Sequence, residues 1–211
     1  MSKLKILFMG TPDFSVNVLK GLIENYDVIG VVTQPDKEVG RKHEIKFSPI
    51  KEVALNNDIR VFQPIKIKED YQELLKLPVD MIVTCAYGQM IPKALLDFPK
   101  YGCINVHASL LPKLRGGAPI HKAIINNYAR TGVTIMYMVE KMDAGDIISQ
   151  IDTPILPSDN VGTLHDRLSE MGTKLLLDTI PNIVSGNINP VKQNEEEVTY
   201  AYNISREEEK I

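Results

Sequence analysis

The stretch that decides the class of fold is Ile6-Leu7-Phe8-Met9-Gly10-Thr11-Pro12-Asp13, a short apolar run that leads into a turn. Four consecutive apolar residues before a glycine are typical of a buried strand. Thr11 can cap a helix whose first position is Pro12. The apolar face of that helix would lie on the sheet and consists of Phe14, Val18 and Leu22. The segment therefore predicts the strand and helix that begin a βαβ unit.

The same alternation continues along the chain. Further apolar runs predict buried strands at Val28 to Thr33, Met81 to Thr84 and Cys103 to Val106. Helical patterns are found at Pro49 to Leu55, Pro119 to Ile125 and Gly162 to Val184. Strands that alternate with helices are typical of parallel sheets. We therefore predict an α/β fold with a Rossmann-like, open, twisted and mostly parallel sheet that carries helices on both faces.

The first strand-to-helix turn excludes two common phosphate-binding sites. It contains Gly10 but no GxGxxG pattern, and Pro12 and Asp13 would oppose the close approach of a pyrophosphate. It also lacks the lysine of a nucleoside-triphosphate loop. Neither a dinucleotide cofactor nor a bound nucleoside triphosphate is expected there.

Composition sets further limits. The 211 residues are 44% hydrophobic and 24% charged, which is typical of a globular protein with a real core. The formal net charge of −3 gives no overall attraction for a polyanion, so any contact with nucleic acid would require a local basic patch. No signal peptide or membrane-spanning run is found, which favours a cytoplasmic protein with no membrane partner. Cys85 and Cys103 lie in apolar runs and are interpreted as small core residues.

The best candidate for a local basic patch is the polar stretch between Gln34 and Phe47, which is too long for a minimal turn. We expect a mobile surface loop there. Its basic residues are Lys37, Arg41, Lys42 and Lys46. The sequence alone leaves open whether this loop contacts phosphate groups or is only solvated.

The strongest chemical signal lies in and just after the predicted strand Cys103 to Val106, in Gly102-Cys103-Ile104-Asn105-Val106-His107-Ala108-Ser109. Alternate side chains of a strand share one face, so Asn105 and His107 would point the same way, about 7 Å apart. They lie at the carboxyl end of a strand, where open α/β sheets bind ligands. An amide can donate to an oxyanion, and an imidazole can exchange a proton, so the pair suits acyl transfer. The alternative is that both only satisfy loop backbone groups.

The next segment, Ser109-Leu110-Leu111-Pro112-Lys113-Leu114-Arg115-Gly116-Gly117-Ala118-Pro119-Ile120, resembles the signature of the folate-dependent formyltransferases. Its ending, from Arg115 onward, is similar to that of the methionyl-tRNA formyltransferases in particular. Other matching stretches are Phe8 to Phe14, Val32 to Asp36, Ala86 to Pro92, Gly132 to Met136 and Met142 to Gly145. The resemblance covers the chain up to about Tyr202.

This resemblance implies a catalytic triad of Asn105, His107 and Asp143. Asp143 lies in a Gly-containing turn before Ile147 to Ile151, so the fold would have to bring it to the strand end. Without the resemblance, it would be interpreted as a turn-forming residue. In the expected roles, Asn105 donates to the oxyanion, and His107, polarised by Asp143, assists proton transfer.

The resemblance also implies 10-formyltetrahydrofolate as co-substrate and initiator methionyl-tRNA as partner. The folate-binding residues would be Tyr87, Gly88, Gln89, Met90, Ile91, Ser109, Leu110, Leu111 and Pro112. Arg41 and Lys42 would contact the tRNA. No carboxylate-histidine cluster has metal spacing, so no metal is expected. The expected protein is a monomer.

Within the resemblance, residues 1–194 are predicted to form the catalytic domain. Residues 195–211 would form a linker towards a C-terminal β-barrel domain that the chain lacks. Two alternatives remain. Glycinamide ribonucleotide formyltransferase, of purine biosynthesis, is a free-standing domain of comparable size. A non-catalytic folate- or RNA-binding module would keep the fold but would not need Asn105, His107 and Asp143.

Overall fold

A computed structural model describes residues 3–39, 44–205 and 208. The strands, in chain order, are β1 (Lys5–Gly10), β2 (Asp27–Val32), β3 (Lys37–Val39), β4 (Glu44–Lys46), β5 (Val61–Phe62), β6 (Met81–Cys85), β7 (Cys103–His107), β8 (Arg130–Tyr137) and β9 (Ile147–Pro154). The helices are α1 (Val16–Asn25), α2 (Pro49–Asn56), α3 (Lys93–Leu96), α4 (Pro119–Ile125) and α5 (Val161–Ser185). Short 3-10 turns lie at Asp13–Ser15, Leu74–Lys76 and Glu195–Glu197.

Seven strands form one sheet in the order β5-β2-β1-β6-β7-β8-β9. Four strand pairs are parallel, namely β1 with β2, β1 with β6, β2 with β5 and β6 with β7. Strands β8 and β9 pair in antiparallel orientation. The predicted α/β fold with a mostly parallel sheet is therefore confirmed.

The chain divides into two compact units, Met1–Asn105 and Val106–Ile211. In the first unit, the central strand β1 is buried, and Ile6 and Met9 have no exposed surface. Val18, Leu19 and Leu22 of α1 are also fully buried. The predicted apolar stripe of this helix is thus the face that enters the core.

Helix α1 begins later than the sequence predicts. Thr11 does not cap it, because its hydroxyl lies in a different network: it donates to the main-chain oxygen of Tyr87 at 3.2 Å and accepts from the main-chain N–H of Gln34 at 3.3 Å. Pro12 precedes the 3-10 turn Asp13–Ser15, and the α-helix starts only at Val16. Partners distant in the chain therefore override the local capping signal.

In the second unit, helix α5 packs against β8 and β9. It begins with a capping box, in which the Asn160 side chain accepts from the main-chain N–H of Thr163 at 3.0 Å. It ends at Ser185, and the next residue is Gly186, whose φ of 74° only glycine adopts readily. Its bounds agree within one residue at each end with the predicted Gly162 to Val184. Among the described helices, including this one, none is both long and apolar enough to span a membrane.

The stretch predicted as a mobile loop contains the two short strands β3 and β4. Strands β3 and β4 pair antiparallel, with Glu38 opposite Ile45. The physical reason is local, since the β-branched residues Val39 and Ile45 favour extended backbone. Arg41 and Lys42 lie outside the described residues.

Both cysteines are free and buried, which confirms their interpretation as core residues. Burial raises the pKa of the Cys85 thiol to about 12 and that of the Cys103 thiol further above its ordinary value. Both thiols therefore stay protonated and unreactive at neutral pH.

The pairing of β8 with β9 requires a glycine at position 132. A Cβ there would lie 2.1 Å from the main-chain oxygen of Ile151. We expect Gly132→Ala to lower the free energy of unfolding by about 1–3 kcal/mol, because the strands must move apart. Urea unfolding measures this loss.

The matched control is Asp152→Ala, which changes the residue opposite Gly132 and removes an exposed ion pair with Arg130. Such pairs contribute only about 0.2–1 kcal/mol. Equal losses for the two variants would contradict the steric argument.

Candidate active site

His107 is the last residue of β7 and is 5% exposed. Its Nε2 lies 3.0 Å from the main-chain oxygen of Leu114, which can only accept, so Nε2 carries a proton and donates. Nδ1 lies 3.8 Å from Oδ2 of Asp143. This separation exceeds a direct hydrogen bond but allows electrostatic attraction when the imidazole is cationic. The structure thus brings the predicted carboxylate to the imidazole, with Nδ1 facing it.

Two contacts hold Asp143 in this position. Its Oδ2 accepts from the main-chain N–H of Gly116 at 2.8 Å. Its main-chain oxygen accepts from Nε2 of Gln193 at 2.8 Å, and the same Nε2 donates to the Gly145 oxygen at 2.7 Å. The backbone of Asp143 is left-handed, with φ at 46°, a conformation that favours glycine. Side chain and main chain of this turn are therefore fixed separately.

Asn105 belongs to the first unit and is 9% exposed. Its Oδ1 accepts from the hydroxyl of Thr84, its register partner on β6, at 2.7 Å. Within the described residues, its Nδ2 has no hydrogen-bond acceptor. The amide therefore presents a donor whose orientation is fixed by Thr84.

The loop Ser109 to Pro112 is held from the neighbouring strands. The Thr134 hydroxyl donates to the main-chain oxygen of Ser109 at 2.7 Å and accepts from the Leu111 N–H at 3.2 Å. The Gln150 side chain donates to the Leu111 oxygen at 2.9 Å and to the Thr134 hydroxyl at 2.8 Å. The sequence reasoning missed Thr134 and Gln150, which keep this predicted folate-binding loop in shape.

The other predicted folate-binding loop, Tyr87 to Ile91, lies in the first unit. Gln34 Nε2 donates to the Tyr87 oxygen at 3.0 Å, and Gln89 Nε2 donates to Gln34 Oε1 at 3.1 Å. Gln89 Oε1 also accepts from the Ile67 N–H at 2.9 Å. The Gln89 side chain is therefore used for internal support. Burial raises the pKa of the Tyr87 phenol to about 12.

Arg115 is the largest side chain with no exposed surface. Its Nε and Nη2 donate to Gln193 Oε1 at 3.0 and 2.8 Å, and Nη2 also donates to Glu195 Oε1 at 3.0 Å. Hydrogen bonds from Lys141 and then from Arg115 lower the pKa of Glu195 to about 2. The motif beginning at Arg115 pointed to a family, but nothing in the sequence indicated these partners.

Part of the predicted linker pairs with the main chain at Arg115. The main-chain N–H of Arg115 donates to the Thr199 oxygen at 2.9 Å, and that of Ala201 donates to the Arg115 oxygen at 2.7 Å. Ala201 has no exposed surface. The boundary between a catalytic domain and a linker after residue 194 stays a prediction, but residues up to Ala201 are structurally part of the second unit.

The remaining predicted sites have no structural test here. Arg41 and Lys42, the predicted tRNA contacts, lie outside the described residues. In the parts of the chain that the structure describes, no group of three or more His, Cys, Asp or Glu residues could hold a metal ion.

The chemistry available is that of an oriented amide donor in the first unit and an imidazole–carboxylate pair in the second.

A protein-family model described as formyl transferase matches residues 3–180. A methionyl-tRNA formyltransferase of a Geobacillus species is 61% identical over 99% of this chain and 66% of its own length. One from Bacillus subtilis is 60% identical over 97% of the chain and 66% of its own length. The chain therefore spans about two thirds of the length of these relatives.

The fold is also similar to a solved structure of phosphoribosylglycinamide formyltransferase from Anaplasma phagocytophilum. The match has a TM-score of 0.73 and covers 96% of this chain and 100% of that one, at 19% sequence identity. At this identity the likeness concerns the fold alone.

The lowered pKa of Glu195 gives a pH-dependent prediction. A carboxyl whose pKa falls from 4.5 to about 2 on folding stabilises the folded state above pH 4.5 and loses this effect as the pH approaches 2. We expect Glu195→Gln to melt below the unmodified protein at neutral pH, with the difference shrinking over that range. Thermal unfolding at several pH values measures it.

Glu196→Gln is the control, because it removes an adjacent exposed carboxylate that has no such partners among the described residues. Its melting difference from the unmodified chain is expected to stay small. A Glu195→Gln difference that is constant over the whole pH range would contradict the role given to Arg115 and Lys141.

Proposed function

The chain belongs to the formyl transferase family, and we propose that it transfers a formyl group from 10-formyltetrahydrofolate to the α-amino group of methionyl initiator tRNA in translation initiation. The observation that carries the proposal is the pair His107 and Asp143, with Nδ1 and Oδ2 3.8 Å apart, in a chain so similar to methionyl-tRNA formyltransferases.

The reaction sets what the residues must do. The nitrogen of the amine attacks the formyl carbon, a new carbon–nitrogen bond forms, and the carbonyl oxygen becomes an oxyanion. Collapse of this tetrahedral intermediate breaks the bond to N10 of the folate. The proton lost by the amine ends on N10. The α-amine has a reference pKa of about 8, so many of the amine molecules are protonated at neutral pH. These must lose a proton before the nitrogen can attack.

Asn105 stabilises the oxyanion in this scheme. Its Oδ1 is occupied by the Thr84 hydroxyl, so Nδ2 is the group left to donate. A donor held in place before the reaction needs no reorganisation when charge develops. Thr84 thus contributes by keeping the amide from turning over.

His107 moves the proton. Its Nε2–H is bound to the Leu114 oxygen, which leaves Nδ1 as the nitrogen that can take the proton from the amine and return it to N10. Asp143 attracts the cationic form of the ring through Oδ2. The carboxylate also fixes the direction of Nδ1, since its own position is set by the Gly116 N–H.

The substrates have separate binding elements. The folate is bound by Tyr87 to Ile91 and Ser109 to Pro112, two loops whose shapes are held by Gln34 and Thr134. Arg41 and Lys42 contact the acceptor region of the tRNA, where they supply local positive charge on a chain whose net charge is −3. The enzyme acts in the cytoplasm as a monomer, without a metal or a membrane partner.

Glycinamide ribonucleotide formyltransferase, the alternative within the superfamily, is less well supported. Its solved relative shares the fold at 19% identity, whereas the relatives at about 60% identity are methionyl-tRNA formyltransferases. Purified chain is tested with both amine acceptors and 10-formyltetrahydrofolate, alongside a full-length relative. Formyl transfer to glycinamide ribonucleotide but not to methionyl-tRNA would decide for the alternative. Folate binding without transfer to either, at high enzyme concentration, would support a non-catalytic binding module.

The catalytic role of His107 gives a third prediction. We expect His107→Ala to lower kcat for formyl transfer to methionyl-tRNA by about 10²–10⁴-fold, because proton transfer loses its carrier. Asn105→Ala should cost about 10²–10³-fold through the lost oxyanion donor. Single-turnover assays measure both rates.

The control is His121→Ala, which removes an exposed imidazole on α4 and should leave the rate unchanged. Near-normal turnover of His107→Ala would overturn the assigned mechanism.

A further inference from the structure

We infer that Gln193 is a positioning residue for the reaction: it holds the turn from Asp143 to Gly145 so that the carboxylate of Asp143 faces His107, and Arg115 orients Gln193 for this task. The inference rests on the proposed function, because it assigns a role within the same reaction. Nothing in the sequence around Gln193 indicated it, since the residue lies 50 positions after Asp143.

The amide of Gln193 is used completely. Its Nε2 donates to the main-chain oxygens of Asp143 and Gly145 at 2.8 and 2.7 Å. Its Oε1 accepts from Nε and Nη2 of Arg115 at 3.0 and 2.8 Å. Because a guanidinium only donates and a carbonyl only accepts, these partners allow one orientation of the amide. With 5% exposure, Gln193 has little water to compete for these bonds.

The turn needs such a restraint. Asp143 has a φ of 46°, which costs free energy for a residue with a side chain. At Gly145, a Cβ would lie 1.8 Å from the main-chain oxygen of Tyr137, so the turn passes directly against β8. Strained backbone persists only where its surroundings fix it. Gln193 binds both carbonyls that bracket this turn.

The arrangement also separates two tasks. The Gly116 N–H holds Oδ2 of Asp143, and Gln193 holds the main chain from which that side chain extends. Since Oδ2 lies 3.8 Å from Nδ1 of His107, a shift of the turn changes the distance on which proton transfer depends. Gln193 therefore affects the reaction without touching the reacting atoms.

The informative variant is Gln193→Glu. One carboxylate oxygen can still accept from Arg115, so the buried guanidinium keeps a partner. The other oxygen replaces Nε2 and repels the carbonyls of Asp143 and Gly145. We expect kcat to fall about 10-fold to 10²-fold, with the KM for both substrates unchanged. Lys192→Ala, an exposed neighbour of Gln193, is the matched control and should behave like the unmodified chain.

A double-mutant cycle with Asp143→Asn distinguishes positioning from general damage to the fold. If Gln193 acts through the carboxylate, Gln193→Glu should have little further effect on kcat once Asp143 is changed. Single-turnover rates at high enzyme concentration keep the slow variants measurable. An equal fold-loss in both backgrounds, or near-normal kcat for Gln193→Glu alone, would overturn the inference.

A second readout does not require activity. The amide proton of Gly116 donates to the Asp143 carboxylate, so its chemical shift in a nitrogen-15 spectrum reports where the carboxylate lies. The shift should move in Gln193→Glu and stay in Lys192→Ala. If the unmodified chain transfers no formyl group but the shift moves as expected, the proposed function fails and the positioning role stands. An active unmodified chain whose Gly116 shift is the same in Gln193→Glu would instead refute the positioning role.

Discussion

A buried guanidinium costs free energy unless it is hydrogen-bonded, and this cost organises the second unit. Arg115 has no exposed surface, and its partners Gln193 and Glu195 lie after helix α5. The segment after the helix must therefore return to the loop that follows β7. In this position, the Gln193 side chain also donates a hydrogen bond to the main chain of the turn that contains Asp143. The geometry around His107 thus depends on hydrogen bonds between Arg115 and residues that lie 78 and 80 positions later in the chain.

The sequence predicted the elements whose signals are local. Helices α2 and α4 begin at the prolines that marked them, Pro49 and Pro119, and α5 extends only one residue further at each end than its periodic pattern. A proline or a cap acts on its own turn, so no tertiary contact is needed to find it. Thr11 was the exception, because its hydroxyl found partners 23 and 76 residues away.

The supporting polar residues could not be predicted in this way. Thr84, Thr134 and Gln193 bind atoms that lie 21, 25 and 50 residues away along the chain. A single hydroxyl or amide produces no periodic pattern in the sequence. Its structural role depends on a hydrogen-bond partner that only the folded chain brings close. Sequence motifs therefore indicate the residues proposed to contact the substrate, whereas the residues that orient them are recognisable only in the folded structure.

The pairing of Thr199 and Ala201 with Arg115 has a practical consequence for dividing the chain. Ala201 packs with Leu114, whose main-chain oxygen fixes the ring of His107. A deletion or a proteolytic cut before Thr199 would remove Ala201 from this cluster. The main chain at Leu114 and Arg115 would then lose the segment with which it pairs. Fragments intended to keep the geometry around His107 should extend past Ala201, even though the composition of that segment is typical of a linker.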